Sequence, residues 1–157
     1  MLAEDSFAVD FSCTTCGKII NALTCPSHCP QCQTAAPDHG FPTAEAVTIA
    51  EQNDRFRAGL TKGNASDLPG QVVVTSAVNA MGRDFVTAAL MAVAGDSSFT
   101  PDNDPYGDHG FGTVTVLSLK LFWKIDLYDE ELVYGSPAPA NPAVTRRVLT
   151  IMFPTDY

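Results

Sequence analysis

The sequence predicts an α+β protein, in which an antiparallel sheet carries helices on one face and a small zinc knuckle or ribbon precedes it. Three observations lead to this fold class. All five cysteines lie within the first 32 residues, and two helical patterns and four strand-like runs follow them. Such a succession of helices and sequential strands is typical of α+β domains. We therefore divide the chain into a zinc-ribbon-like segment and linker at 1–42 and an acidic α+β domain at 43–157.

Two C-x2-C pairs, Cys13/Cys16 and Cys29/Cys32, predict a metal site. Confinement to one end of the chain favours a metal module in a reducing compartment over a secreted disulfide framework. Four thiolates favour structural Zn²⁺, because they leave no position open for a catalytic water. Cys25 lies between the pairs and is treated as a spare thiol. The alternatives are a metal-free cluster, a thioredoxin-like redox pair, and a zinc site that uses Cys25 or a histidine (His28, His39).

The helical patterns begin after the cysteines. Residues 33–42 carry two prolines and a glycine, and they predict a linker or a packed loop. The first helix is predicted from Thr43 to Gly63, and the second at about 84–94, on either side of a turn-rich break. The first helix has an apolar stripe at spacings of three and four, formed by Ala46, Ile49, Asn53, Phe56 and Leu60.

The strand-like runs are short and differ in pattern. Residues 71–75 are rich in valine and predict a buried strand. Residues 113–117 alternate threonine and valine, and 119–127 are apolar at every second position, so both predict strands. A last strand is predicted at 147–153, and the segments 97–112 and 135–142 are predicted to be loops.

Charge excludes several classes of protein. The chain has 18 acidic and 9 basic residues, a formal net charge of −9, which makes direct nucleic-acid binding unlikely because such binding depends on Lys and Arg. No apolar run reaches the roughly 20 residues that cross a bilayer. Glu4 and Asp5 stand where a signal peptide carries basic residues, so we expect a soluble, cytoplasmic protein.

Two thirds of the acidic excess lies in one window. Between Asp96 and Glu131 there are eight acidic residues and two lysines. Carboxylates beside a histidine can bind a hard cation, act as acid and base, or present a negative surface to a basic partner. The alternative interpretation is structural, because Asp and Asn before Pro and Gly satisfy the backbone of turns. The candidate binding residues are Asp102, Asn103, Asp104, Asp108, His109, Asp126 and Asp129.

Five blocks of sequence carry a resemblance to a known family: Asn53–Arg57, Phe99–Gly112, Phe122–Asp129, Gly135–Pro137 and Arg147–Met152. Together they resemble the bacterial domain of unknown function 3768 over about 43–157. The resemblance implies that the blocks meet in one fold, and it supplies no activity. Members of the family tend to occur on plasmids and other mobile elements. The family usually has an acid where Gly110 and Ala138 stand here, which weakens a catalytic hypothesis more than a binding one.

Two functional hypotheses follow. The first is a non-enzymatic binding or regulatory protein of mobile-element type, which has no catalytic residues. Its acidic surface would bind a basic partner, as in an inhibitor of a nucleic-acid-handling defence enzyme of the anti-restriction or anti-CRISPR class. The alternative is a metal-dependent hydrolase, in which the loop 102–109 and Asp126 hold a divalent ion and His109 and Asp126 are catalytic. The sequence does not predict the oligomeric state.

Overall fold

The computed structural model describes residues 7–62 and 67–157. A small hairpin, β1 (Val9–Ser12) and β2 (Ile19–Ala22), precedes the helix α1 (Ala44–Ala58), which ends in a 3-10 turn (Gly59–Thr61). The elements that follow are β3 (Gly70–Val74), α2 (Ser76–Asn79), α3 (Arg83–Ala94), β4 (Phe111–Val116), β5 (Leu119–Tyr128), β6 (Arg146–Met152) and a 3-10 turn (Pro154–Asp156).

The main sheet has four strands in the order β3-β6-β5-β4. Strands β4, β5 and β6 are antiparallel neighbours, whereas β3 pairs with β6 in parallel. The helices lie on one face of the sheet, so the predicted α+β class is confirmed. The parallel pairing of β3 is a detail that the valine-rich pattern did not indicate.

The alternating pattern of the long strand is confirmed. Leu121, Trp123 and Ile125 of β5 are buried and pack with residues of α3 and β6. The two-residue turn that joins β4 to β5 places both Leu117 and Ser118 at positive φ (48° and 65°), the geometry whose twist suits a tight hairpin. The helix side of the sheet is therefore the main core, and the other side carries the polar residues of β5.

Strand β3 corrects one prediction. Residues 71–75 were predicted to be a buried strand, but Val72 and Val73 are 38% and 39% exposed. The reason is position: β3 is the outermost strand of the sheet, so one of its sides has no neighbouring strand. A run of valines indicates a strand but does not distinguish the centre of a sheet from its edge.

The first helix begins where predicted, but it ends before the predicted residue. The Thr43 hydroxyl caps it by accepting a hydrogen bond from the Ala46 amide (3.0 Å). Ile49, Asn53 and Phe56 are buried as the stripe predicted, and the helix ends at Ala58. The predicted end, Gly63, lies outside the described residues. No helix in the described ranges is long and apolar enough to cross a membrane.

The N-terminal segment has a core of its own. Cys13, Cys29 and Phe41 are its buried members. The segment 33–42 is a packed loop, since Phe41 is only 4% exposed. The Ser12 amide donates to the Pro42 carbonyl (2.8 Å), which joins this loop to β1 just before α1 begins.

Candidate functional site

The four predicted metal ligands converge. The sulfur atoms of Cys13, Cys16, Cys29 and Cys32 all lie within 4.8 Å of one another. The Cys13–Cys32 and Cys16–Cys29 sulfur atoms are each 3.6 Å apart. A zinc–thiolate bond of about 2.3 Å gives tetrahedral edges of about 3.8 Å, so these spacings fit a metal ion held by all four sulfurs.

The two cysteine turns have the same backbone geometry. In the first, the Cys13 amide donates to the Lys18 carbonyl (2.9 Å), the Gly17 amide donates to the Cys13 carbonyl (3.0 Å), and the Thr15 amide points at the Cys13 sulfur (3.4 Å). The second turn repeats these three bonds with Cys29, Gln31, Gln33 and Thr34. Amides that point at sulfur stabilise a thiolate, and this is the ligand form that a metal needs.

Cys25 and His28 lie outside this cluster. The Cys25 sulfur accepts a hydrogen bond from the Phe41 amide (3.2 Å), and the His28 ring pairs with the Ser27 hydroxyl (3.1 Å).

Hydrogen bonding to Thr34 lowers the pKa of Cys32 to about 6, which favours its thiolate at neutral pH. The symmetric set of four cysteines is therefore the group that can hold a metal ion.

The acidic loop is built largely from turns. Asn103 accepts a hydrogen bond from the Thr100 amide (2.8 Å), and Asp108 accepts one from the Gly110 amide (3.1 Å). Asp129 accepts from the Val133 amide (3.0 Å) in the next loop. These three candidate residues shape their own backbones, as the structural interpretation predicts.

His109 lies between two carboxylates. Its Nδ1 is 2.9 Å from both carboxylate oxygens of Asp54, and its Nε2 is 3.7 Å from Asp104 Oδ2. The ring also stacks on Phe99, with centroids 3.9 Å apart and planes inclined by 6°. This arrangement fixes the orientation of the imidazole ring and fastens the acidic loop to α1.

A buried arginine, Arg57, forms an ion pair with Asp54. Arg57 donates to Asp54 (2.7 Å) and to the carbonyls of Val93 (2.8 Å) and Asp96 (2.7 Å). Its guanidinium lies 4.6 Å from the centre of the Trp123 ring, a cation–π distance. Trp123 in turn donates to the Asp96 carboxylate (2.8 Å). Asp54 and Asp96 are thus held in place by the core.

The structure separates His109 from the other candidate catalytic residue. Asp126 pairs with Lys124 (2.9 Å) on the open face of the sheet, whereas His109 contacts Asp54 on the helix face. Asp102 is 97% exposed at the side chain, and its Oδ1 lies 3.7 Å from His39 Nε2. Within the described residues, the four cysteines form the group of three or more His, Cys, Asp or Glu side chains that can hold a metal ion. The acids and His109 do not form a second one.

A second buried arginine links α1 to β6. Arg147 donates to Asn53 Oδ1 (2.9 Å) and to Gln52 Oε1 (2.6 Å) and has no carboxylate partner among the described residues. Burial lowers the pKa of Arg147 to about 10, and Arg55 adds to this effect. Asn53 also donates to the Asp108 carbonyl (2.9 Å), so it connects the acidic loop to the sheet.

We expect Asp104 to make the stability of the fold depend on pH. Its side chain is 7% exposed, and burial raises its pKa above the usual 3.8. A carboxyl whose pKa is raised by folding stabilises the fold below its unfolded pKa, and this stability is lost as pH rises through the folded pKa. We expect Asp104→Asn to gain stability relative to the natural chain between pH 3.5 and pH 7, measured by urea unfolding.

The matched control for this prediction is Asp102→Asn, in a side chain that is 97% exposed. The gain in stability on raising the pH is expected to be larger for Asp104→Asn than for this exposed acid-to-amide change in the same loop. An equal gain in the two variants would contradict the account.

Comparison with known protein families identifies the family of this chain. A family described as "Protein of unknown function (DUF3768)" matches residues 74–156. The chain belongs to this family. Neither a curated protein nor a solved structure matches the chain. In this DUF3768 member the matched range holds α2, α3, the acidic loop and the strands β4, β5 and β6. It is shorter than the predicted extent of about 43–157, because it leaves out α1 and all of β3 except Val74.

Sequence reasoning predicted Asp104 but did not single out Asp54, the other carboxylate beside His109, or Arg57, which pairs with Asp54. Asp54 and Arg57 lie one helical turn apart on α1, and both belong to the Asn53–Arg57 block that carried the family resemblance. That block was the one available signal. The contacts of Asp96 with Trp123 and of Arg147 with Asn53 join residues distant in sequence, so no local pattern indicates them.

Proposed function

We propose that this protein is a non-enzymatic binding and regulatory protein, which binds a basic, nucleic-acid-handling partner through an acidic surface. The observation that carries the proposal is the tip of the loop between β5 and β6, residues 129–134, which we call the acidic tip. Leu132, Val133 and Tyr134 are 45%, 58% and 74% exposed there. Glu130 and Glu131 precede them and are also exposed. Adjacent exposed apolar side chains mark protein interaction surfaces.

The acidic tip is ordered by its own hydrogen bonds. The Asp129 amide donates to the Tyr134 carbonyl (2.8 Å), and the Leu132 amide donates to the Asp129 carbonyl (3.1 Å). Leu132 has a backbone φ of 60°, a left-handed conformation that residues other than glycine adopt only rarely. A loop that already holds its shape loses little conformational entropy on binding, which supports a recognition role.

Charge supports a basic partner. The nearest cation to Glu130 is Arg146, at 3.9 Å, and Glu131 has no ion pair within the described chain. Asp102 adds a further exposed carboxylate on the acidic loop. Exposed carboxylates next to an apolar patch, of which Glu131 has no ion pair within the described chain, favour a partner with Lys or Arg at the rim of its own apolar surface.

We assign the four-cysteine site to zinc in a structural role. Four sulfur ligands at tetrahedral spacing are typical of zinc, and they leave no place for a reacting water. When bound, the ion would supply a cross-link between the two cysteine turns. Those turns adjoin the loop 37–42, which packs beside Phe99 and His109 of the acidic loop around a small cleft of about 190 Å³.

The test reverses the charge of the acidic tip. The immobilised, zinc-loaded protein is used for affinity capture from a cell extract, and the captured proteins are identified at low and high salt. We expect a basic nucleic-acid-binding protein to be captured at low salt. The double variant Glu130→Lys/Glu131→Lys should weaken its binding about tenfold or more, because it replaces attraction by repulsion.

The matched control is Glu45→Lys/Glu51→Lys, which makes the same charge change at exposed positions on α1. It should retain the partner. Capture of the same partner by the Glu130/Glu131 variant with unchanged affinity, or binding that does not weaken with salt, would rule out the proposal.

A further inference from the structure

A small cleft lies between the segment 37–42 and the acidic loop, and we call it the loop cleft. Its volume is about 190 Å³. The two segments approach closely at Gly107, where a Cβ atom would lie 3.2 Å from Pro42 Cβ. No lysine or arginine among the described residues lines the loop cleft, and its apolar walls come from Pro37, Pro42, Phe99, Pro101 and Pro105. Walls of this kind suit a slender apolar chain.

One carboxylate lines the loop cleft without a strong partner. The Asp104 side chain is 7% exposed, and its Oδ1 accepts a hydrogen bond from the His109 amide (3.3 Å). Its Oδ2 lies 3.7 Å from His109 Nε2, which is too long for a hydrogen bond. Within the described ranges no lysine or arginine forms an ion pair with Asp104. Because burying a carboxylate without a compensating charge is costly, a cation at Oδ2 would stabilise this arrangement.

His109 presents a second acceptor beside Asp104. Its ring Nδ1 lies 2.9 Å from both carboxylate oxygens of Asp54, so in the neutral ring Nδ1 carries the proton and donates to Asp54. The other ring nitrogen, Nε2, then has a free lone pair. Nε2 and Asp104 Oδ2 are therefore two acceptors 3.7 Å apart that cannot bond to each other. Such a pair is complete when one group donates N–H to both atoms.

We propose that the loop cleft binds a primary ammonium group at the end of an unbranched alkyl chain, the chemistry of a lysine side chain and of a polyamine. The ammonium group donates to Asp104 Oδ2 and His109 Nε2, and the methylene groups lie between the proline rings. At about 30 Å³ per water-sized group, a volume of about 190 Å³ accommodates about six such groups. This is about the size of a lysine side chain.

A guanidinium group fits this site less well. Arginine typically binds a carboxylate through both oxygens in a bidentate pair, whereas an ammonium group is a compact charge that one oxygen can bind. Asp104 Oδ1 already accepts from the His109 amide, so Oδ2 is the oxygen available to a ligand. The Phe99 ring already contacts the His109 ring and the Arg57 guanidinium, with centroid distances of 3.9 Å and 5.2 Å. The site therefore selects an ammonium group.

The charges beside the loop cleft also favour a cation. His39 lines the cleft, and its Nε2 lies 3.7 Å from Oδ1 of the exposed Asp102. Burial raises the pKa of Asp104, which shows that its charge is poorly compensated without a ligand. These groups belong to the acidic loop and its neighbour, not to the acidic tip. The inference therefore does not depend on the proposed function.

The experiment measures the binding of small amines to the full zinc-loaded chain. Nα-acetyl-lysine methylamide supplies a lysine side chain without other charges, and the amide NMR signals of residues 99–109 report its binding at neutral pH. We expect it to bind at least tenfold more tightly than its Nε-acetylated form, which keeps the alkyl chain and loses the charge. The arginine analogue should bind at least fivefold more weakly than the lysine compound.

Spermidine distinguishes the two sources of the ammonium group. Tighter binding of Nα-acetyl-lysine methylamide than of spermidine at residues 99–109 assigns the loop cleft to a lysine of a partner protein. The reverse order assigns it to a free polyamine. Either order supports an ammonium site, and the absence of binding by both compounds would overturn it.

A protein variant tests the role of the carboxylate. Asp104→Asn keeps the shape of the side chain and removes its charge, so it should weaken the binding of Nα-acetyl-lysine methylamide at least tenfold. The matched control is Asp84→Asn, an exposed acid-to-amide change in the first turn of α3, which should bind normally. Equal binding by these two variants, or equal binding of the Nε-acetylated compound by the natural chain, would overturn the proposal. Glu130→Lys/Glu131→Lys should bind the lysine compound normally, which separates this test from that of the acidic tip.

Discussion

Replacing Asn53 by alanine is expected to lower the free energy of unfolding by about 3 kcal/mol or more, because the buried Arg147 guanidinium and the Asp108 carbonyl each lose a hydrogen-bond partner. Asn53 is 1% exposed, donates to the Asp108 carbonyl and accepts from Arg147 Nε. Without it, the Arg147 guanidinium keeps only Gln52 as a side-chain partner in the described structure. A buried charge that loses a hydrogen bond is among the most destabilising changes known in proteins. Urea unfolding followed by tryptophan fluorescence measures the loss.

A double-mutant cycle attributes the effect to Arg147. In an Arg147→Met background the buried charge is gone, and Asn53→Ala should then cost about 1–2 kcal/mol less than in the natural chain. Asn79→Ala, at an exposed position at the end of α2, is the control and should change stability by less than about 0.5 kcal/mol. Strict additivity in the cycle would show that the two residues are not coupled.

With zinc in the four-cysteine site as proposed, removing the ion is expected to unfold the N-terminal segment and to leave the sheet folded. Among the described residues the N-terminal core has three buried members, Cys13, Cys29 and Phe41, and two of these belong to the four-cysteine group that can hold a metal ion. A core this small does not hold a segment together without a cross-link, and metal-binding energy in such modules is folding energy. The main core around Trp123 contains none of the cysteines.

Amide NMR spectra before and after treatment with a zinc chelator test this expectation. Signals from 7–42 should collapse to disordered positions, while signals from β5 and β6 stay in place. Cys29→Ser should give the chelated spectrum without a chelator, and Cys25→Ser should give the natural one. An unchanged N-terminal spectrum after metal removal would show that the fold of the segment does not need the ion.

Much of the fold was predictable because its signals are local. The alternation of Leu121, Trp123 and Ile125 indicated both the strand and its buried face. The spacing of the four cysteines indicated a common site, and the structure places their sulfur atoms together. In each case the residues that carry the signal are close in sequence, so their spacing alone indicates where their side chains lie.

The remaining features depend on tertiary packing. The valine run of β3 is compatible with any place in a sheet, and only the assembled order of strands shows that it is an edge. The acidic window looked like one surface in sequence, but folding divides it. Asp104 is buried beside His109, Asp126 pairs with Lys124 on the other face, and Asp102 remains exposed. Composition alone does not distinguish these environments.

The most direct test of this account is the zinc content of the purified full-length chain, measured by mass spectrometry of the metal together with protein concentration. The account predicts one zinc ion per chain, retained in Cys25→Ser and lost in Cys29→Ser. Less than half an equivalent of zinc in the natural chain, or zinc that is lost in Cys25→Ser and kept in Cys29→Ser, would contradict it.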